Sequence, residues 1–127
     1  MRQAEIPRST LLVVEDDPLI RIDLADALAD IGYGVLEASG ADRAIRLLET
    51  HPEIVAVITD RDMPGSMDGM ALVRLVRERW PPCALIMVSG QVAPPASDLP
   101  AGLRFLSKPV TTGLLERTLG ELGVPHA

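Results

Sequence analysis

Acidic side chains follow two of the short apolar runs in this sequence, and they are the residues best suited to chemistry. They are Glu15, Asp16 and Asp17 after the run 11–14, and Asp60 and Asp62 after the run 54–58. If these runs form neighbouring parallel strands, their carboxyl ends meet at one edge of a sheet. The spacing therefore predicts a crevice that holds at least three carboxylates.

Such a cluster needs a compensating charge. Two carboxylates about 4 Å apart repel by roughly 4 kcal/mol at an effective dielectric of about 20, so they take up protons or a cation. An all-oxygen cluster suits Mg²⁺, which usually binds a few carboxylates and a phosphate oxygen. Each acid alone could instead cap the helix after its strand, and Asp17, which precedes Pro18, fits that role well.

Two further strand ends offer groups that complement a carboxylate and a metal ion. Ser89 follows the run 84–88 and offers a hydroxyl beside Gly90, which is too small to obstruct it. Lys108 precedes Pro109 after the run 103–106 and offers an ammonium group on a long stem. Taken singly, these would be a turn residue and a surface charge. Together with the acids they would hold the equatorial oxygens of a transferring phosphoryl group.

The elements that must position these groups follow from the hydrophobic pattern. Short apolar runs alternate with helical patterns, which is typical of strand–helix units around a parallel sheet. The runs span residues 11–14, 33–38, 54–58, 84–88 and 103–106. The first, third and fourth are almost continuously apolar, which predicts central strands, whereas Glu37 and Arg104 place the second and fifth at the edges.

Helical stripes occupy most of the connections. Ile20, Leu24, Leu28 and Ile31 recur on one helical face, and similar stripes begin near residues 41, 72 and 115. The connection 89–102 differs because it contains three prolines, which remove backbone donors, so we expect a loop or at most one turn there. The right-handed crossover rule then places helices on both faces of a five-stranded parallel sheet, which predicts a doubly wound α/β fold. Of the two common strand orders for such a sheet we predict the flavodoxin-like order 2-1-3-4-5, with a shortened or missing fourth helix.

Length and composition fit one domain, which we place at residues 9–122 with tails at 1–8 and 123–127. The formal net charge of −6 and the single Trp, Tyr and Phe argue against direct binding of nucleic acids or anionic membranes. The lone Cys83 is expected to be a buried, reduced thiol. Because no apolar run has membrane-spanning or signal-peptide length, we expect a soluble cytoplasmic protein.

These residues resemble the receiver domains of response regulators over roughly residues 9–122. The motifs LLVVEDD, VITDRDMPG, MDGM, MVSG and FLSKPV appear in the order found in that family. The resemblance implies that Asp60 accepts a phosphoryl group from a sensor histidine kinase or a histidine phosphotransfer protein. It also implies that Glu15, Asp16, Asp60 and the backbone carbonyl of Asp62 bind Mg²⁺.

The same resemblance assigns the remaining roles. Ser89 corresponds to the family's hydroxyl switch residue, Lys108 to its invariant lysine, and the peptide before Pro109 is expected to be cis. Phe105 stands where many receivers carry Tyr, so its ring could still switch but lacks a hydroxyl. Ser66 looks like an extra residue beside the acceptor loop.

The resemblance leaves the output open. Only five residues follow Leu122, so we expect a monomer or weak dimer that signals by docking to a downstream protein or passes the phosphate onward. We expect no enzyme activity beyond intrinsic self-phosphorylation and autodephosphorylation.

Three alternatives accompany this interpretation. The order Asp60-Arg61-Asp62 after an apolar strand also resembles the nucleophile motif of haloacid-dehalogenase-type phosphatases, which usually need a longer chain. A flavodoxin-like cofactor module shares the strand order, but the acids after the first strand would repel a cofactor phosphate. The third alternative is an adaptor of the receiver fold that works without phosphorylation.

Overall fold

A computed structural model of the chain describes residues 9–63 and 67–125. The strands are β1 (Thr10–Val14), β2 (Gly34–Ala38), β3 (Ile54–Asp60), β4 (Ala84–Ser89) and β5 (Arg104–Ser107). The α-helices are α1 (Pro18–Asp30), α2 (Ala41–Thr50), α3 (Gly69–Arg79) and α4 (Thr112–Glu121). β3 runs two residues further than its apolar run, so Asp60 is the last residue of the strand.

The five strands form one parallel sheet in the order β2-β1-β3-β4-β5. This confirms the predicted topology and places the strands that carry Glu37 and Arg104 at the two edges. Because chain order reverses between β1 and β3, the carboxyl ends of these two strands flank a crevice. Glu15 and Asp60 lie at that crevice.

Alternate side chains of the central strands enter two separate cores, one on each face of the sheet. Leu12, Val14 and Val57 pack against α2 and α3, while Leu11, Val13 and Ile58 pack against α1 and α4. The period-two alternation of a strand explains why a nearly continuous apolar run is needed. Full burial of one such side chain contributes about 1.5 to 3 kcal/mol, so the sheet is a rigid support for the loops at its edge.

Three of the four α-helices, α1, α3 and α4, begin at a residue whose side chain caps the helix. The Asp17 carboxylate accepts from the backbone N–H groups of Leu19 and Ile20, as expected for its capping role, and Thr111 caps α4 in the same way. Gly40 precedes α2. Asp68 caps α3, a role that the sequence pattern did not indicate.

The predicted apolar face of α1 needs a correction. Leu28 is fully buried, but Ile20 is 47% exposed and the buried partner on the helix is Ala25. Leu19 and Ile22 are also exposed. The predicted stripe therefore holds at Leu24, Leu28 and Ile31, which pack against one core, and fails at Ile20.

The connection between β4 and β5 contains only one short 3₁₀ helix, at Ala96–Asp98. This confirms that an ordinary fourth helix is missing. Prolines at 94, 95 and 100 lack the N–H groups that a helix would need. The segment therefore runs as an extended connection over the sheet end.

Packed structure continues past α4. Val124 is buried, and its carbonyl accepts a hydrogen bond of 2.9 Å from the Tyr33 hydroxyl. Within the described ranges, none of the helices has both the length and the apolar character needed to cross a bilayer.

Candidate functional site

Three acids converge at the predicted crevice. Glu15, Asp16 and Asp60 each offer a carboxylate oxygen, and these oxygens lie within 4.8 Å of one another. Glu15 and Asp60 are buried, whereas Asp16 is exposed at the mouth of the crevice. The sheet topology therefore assembles the acidic cluster that the strand ends predicted.

Lys108 reaches the same cluster from the end of β5. Its Nζ lies 3.0 Å from Asp60 Oδ2 and 4.0 Å from Glu15 Oε1. The peptide bond between Lys108 and Pro109 is cis, as expected, and the backbone N–H of Lys108 donates to the Ser89 carbonyl. Partial burial lowers the pKa of Lys108, but Asp60, Glu15 and Asp62 outweigh this effect, so the pKa is raised and the group stays charged.

Lys108 is the only lysine in the sequence, and the other permanently charged cations are arginines. An ammonium is a compact point charge that can follow a moving oxygen, whereas guanidinium is a wider planar fork. The choice of lysine here suits a small, charged site.

Glu15 shows that the crevice favours a cation. Burial is the main effect that raises its pKa from 4.5 to about 7; a hydrogen bond from the Asp17 backbone lowers it, and Asp16 and Asp60 raise it further. A bound divalent ion would stabilise the ionised form of this carboxyl group and so lower its pKa again. Together with the all-oxygen donor set, this fits Mg²⁺.

Asp60 is fixed by both of its oxygens. Oδ2 accepts from Lys108, and Oδ1 accepts from the backbone N–H of Asp62 at 3.1 Å. Behind it, the buried Thr59 hydroxyl donates to the Asp60 carbonyl. The side chain is therefore held toward the crevice before any partner arrives.

Ser89 is fully buried beside this arrangement, but among the described residues its hydroxyl makes its hydrogen bonds outside the three clustered acids. It donates to Asp62 Oδ2 at a long 3.4 Å and accepts from the Gln91 N–H at 3.0 Å. Gln91 Nε2 also donates to Asp62 Oδ1, at 3.3 Å. The Asp62 side chain is exposed and lies with Ser89 and Gln91 instead of joining the three clustered acids.

The other predicted switch and conformational residues lie next to this network. Phe105 is half-buried on the α3 side of the sheet, and Arg61 approaches its ring. A side chain at Gly90 would meet no atom within 4 Å, so lack of space does not explain this glycine here. Ser66, the predicted extra loop residue, lies outside the described residues.

Two site residues were missed by the sequence reasoning. Gly69 starts α3 directly against β3, where a Cβ atom would collide with the Asp60 carbonyl oxygen and lie 2.8 Å from the Arg61 Cα. Arg21 donates to the Glu15 carbonyl and pairs with Glu37. The MDGM motif was a signal for Gly69, whereas nothing in the local pattern indicated Arg21.

A cavity of about 640 Å³ leads from the surface to Asp60 and Lys108. Its walls come from α1 and from the loop that precedes α4, and they are mostly apolar. They include Ile20, Leu24, Pro109, Val110 and Leu115. The Asp60 carboxylate is thus reachable from one side of the molecule.

The doubly wound sheet and this acidic crevice define a flavodoxin-like α/β domain with a carboxylate site at its switch point. The chain belongs to the response regulator receiver domain family, whose model matches residues 11–119. The family's members are phosphoacceptors of two-component signalling, so the phosphatase and cofactor-module alternatives are set aside.

Individual relatives agree with this assignment. The chain is 36% identical over 118 residues to the sensor kinase CckA of Brucella abortus, which covers 90% of this chain and 12% of that protein. A crystal structure of a response regulator receiver protein from Sinorhizobium medicae has a TM-score of 0.81 at 29% identity, covering 89% of this chain and 92% of that one.

The receiver domain of the hybrid histidine kinase CckA has a TM-score of 0.75 at 30% identity, covering 89% and 97% of the two chains. The chain spans 12%, 17% and 19% of the length of three curated relatives. Its similarity therefore concerns one part of each of those longer proteins.

Proposed function

We propose that Asp60 accepts a phosphoryl group from the phosphohistidine of a sensor histidine kinase or a histidine phosphotransfer protein. Glu15, Asp16 and Asp60, with the Asp62 carbonyl, would bind the Mg²⁺ that this transfer requires. The observation that carries the proposal is the position of the buried Asp60 carboxylate between the Lys108 ammonium and the two other acids. The cavity beside α1 gives a donor histidine access to it.

The transfer needs little rearrangement on this side of the site. An Asp60 oxygen attacks phosphorus, a P–O bond forms, and the P–N bond to the donor imidazole breaks with its electron pair leaving on nitrogen. Lys108 moves from the carboxylate to a phosphoryl oxygen. When bound, Mg²⁺ would neutralise charge on the phosphoryl oxygens.

Ser89 has to turn before it can take part. Its hydroxyl now interacts with Asp62 and Gln91, and it would donate to a phosphoryl oxygen instead. The acyl phosphate would thereby select a second conformation of the loop after β4. We propose that this conformation docks to a downstream protein or that the phosphate is relayed onward, in a monomer or weak dimer that does not bind nucleic acid.

The test is transfer from a radiolabelled phosphohistidine donor to the purified chain. We expect one phosphoryl group per chain, lost in Asp60→Asn and in the presence of a chelator. Asp62→Asn is the matched control, since it makes the same change two residues away on a side chain outside the acidic cluster, and it should retain labelling. Slow labelling by phosphoramidate should depend on the same residues.

Two outcomes would replace the proposal. Labelling of Asp60→Asn at the parent rate would exclude Asp60 as the acceptor. An absence of both labelling and any spectral response to Mg²⁺ with beryllofluoride would favour the phosphorylation-independent adaptor. The cytoplasmic location and the domain boundaries at residues 9 and 122 stay predictions.

A further inference from the structure

The side chain of Arg61, directly after the acceptor, leaves the crevice and contacts two distant parts of the chain. Its guanidinium lies 6.0 Å from the centroid of the Phe105 ring on β5, and Nη1 donates to the Val92 carbonyl at 3.1 Å. The Arg61 backbone is fixed by hydrogen bonds to Val88 and Gly69. A rigidly anchored residue therefore contacts both the ring and the connection that follows β4.

We call the connection 90–102 the proline segment, and it has little to hold it in place. Val92 is 91% exposed, so burial does not fix this part of the segment. Its prolines cannot donate, and the backbone hydrogen bonds within the segment are local: the Asp98 N–H donates to the Pro95 carbonyl and the Leu99 N–H donates to the Ala96 carbonyl. Side chains from outside the segment must then hold it to the domain.

Four hydrogen bonds that involve a side chain tie the segment to the rest of the domain among the described residues. Arg61 donates to the Val92 carbonyl, the Gln91 side chain donates to Asp62, the Gln91 N–H donates to the Ser89 hydroxyl oxygen, and Arg74 on α3 donates to the Asp98 carbonyl at 3.1 Å. The first two involve the two residues that directly follow Asp60. Arg74 is the exception, since it holds the far end of the segment from the middle of α3.

The geometry links these contacts to the state of Asp60. Ser89 Oγ accepts from the Gln91 N–H, so a Ser89 hydroxyl that turns toward a phosphoryl oxygen disturbs Gln91. Val92 is the next residue, and its carbonyl would shift away from the Arg61 guanidinium. Loss of that hydrogen bond would free the guanidinium from its position over the Phe105 ring.

We infer that Arg61 is a positioning residue that couples the chemical state of Asp60 to the proline segment and the Phe105 ring. The inference rests on the proposed function, because a phosphoryl group on Asp60 is what moves Ser89. Arginine suits this role because its planar fork can donate to a carbonyl while its face lies against an aromatic ring.

Phe105 is the only phenylalanine in the sequence, which makes the test direct. Ring-¹³C-labelled phenylalanine gives one set of resonances, recorded with and without Mg²⁺ and beryllofluoride, which mimics the phosphoryl group. In the parent, we expect the ring resonances to move on activation. In Arg61→Ala without beryllofluoride, the equilibrium between the two ring conformations should shift about fivefold toward the activated one. Adding Mg²⁺ and beryllofluoride should therefore move the ring resonances less than in the parent.

Arg74→Ala is the matched control, because it removes an arginine-to-carbonyl hydrogen bond from the same segment without touching Phe105. It should keep the parent displacement. A full parent-like displacement in Arg61→Ala, or an equal loss in Arg74→Ala, would overturn the inference. Measuring phosphoryl incorporation by intact mass distinguishes a failure of the proposed function from a failure of the coupling alone. If the parent incorporates no phosphoryl group, the proposed function fails, and the coupling through Arg61 fails with it.

Discussion

The two sides of Asp60 are held in different ways. Toward α1, the buried Glu15 and the Lys108 ammonium hold a compact charged cluster with a 3.0 Å ion pair. Toward the proline segment, the exposed Asp62 interacts with Ser89 and Gln91 at 3.4 and 3.3 Å. The first side is organised in advance for the proposed phosphoryl transfer, whereas the second uses two long hydrogen bonds to an exposed carboxylate, which break at little cost.

This contrast predicts its largest effect at Lys108. Lys108→Met removes the only side-chain cation that contacts the acceptor among the described residues, so the rate of phosphoryl transfer should fall by about 10² to 10³-fold. Initial rates of labelling from a phosphohistidine donor measure this. Arg104→Met is the control, because Arg104 lies on β5, the strand that leads to Lys108, and pairs with Glu121 away from the site. A phosphoryl-transfer rate of Lys108→Met within a few-fold of the parent rate would contradict a role for the Lys108 ammonium in the transfer.

The next largest effect is expected at Gly69, which lies beneath both sides. Gly69→Ala places a methyl group against the Asp60 carbonyl and the Arg61 Cα, which are backbone atoms and cannot rotate away. We expect a loss of about 3 kcal/mol in the free energy of unfolding, measured by urea denaturation. Gly120→Ala, where a Cβ meets nothing within 4 Å, should be neutral or stabilising. Equal stabilities of the two variants would refute the close approach.

Glu15 gives the buried side its own pH dependence. Its folded pKa of about 7 lies above the ordinary 4.5, so the folded protein holds the proton more tightly than the unfolded chain. Without divalent ions, the Glu15 contribution to stability is therefore complete below about pH 4.5 and is lost as the pH rises through about 7. Thermal unfolding of the parent and Glu15→Gln across this range measures the difference.

The same pKa makes protons and Mg²⁺ compete for the site. Binding of the ion should strengthen as the pH rises through about 7 and should release a proton, which calorimetry in buffers of different ionisation enthalpy detects. Glu15→Gln should show neither effect. A parent stability that rises over this range in chelator would contradict the predicted sign.

The smallest effect is expected on the exposed side. Gln91→Ala removes a 3.3 Å hydrogen bond to an exposed carboxylate, so the free energy of unfolding should change by less than about 0.5 kcal/mol. Urea denaturation beside Gly69→Ala measures the ratio of the two effects. A loss from Gln91→Ala comparable to that from Gly69→Ala would remove the distinction between the two sides.

Sequence alone determined the fold and the composition of the site. Continuous apolar runs identified the buried strands, Glu37 and Arg104 marked the edges, and the prolines excluded a fourth long helix. Because strand order fixes which carboxyl ends are adjacent, Glu15, Asp16, Asp60 and Lys108 could be placed together without coordinates. Interactions between residues close together in the sequence could also be predicted, as for the helix cap at Asp17.

Only the tertiary structure decided which partner each side chain near Asp60 contacts. The Asp62 side chain joins Ser89 and Gln91 instead of the acidic cluster, Arg61 reaches Phe105 and Val92, Gly69 touches β3, and Ile20 stays exposed. These contacts join residues far apart in the chain, and they depend on strand register, helix placement and side-chain reach to within about an ångström. Hydrophobic periodicity and residue type carry no information at that scale, so packing alone sets them.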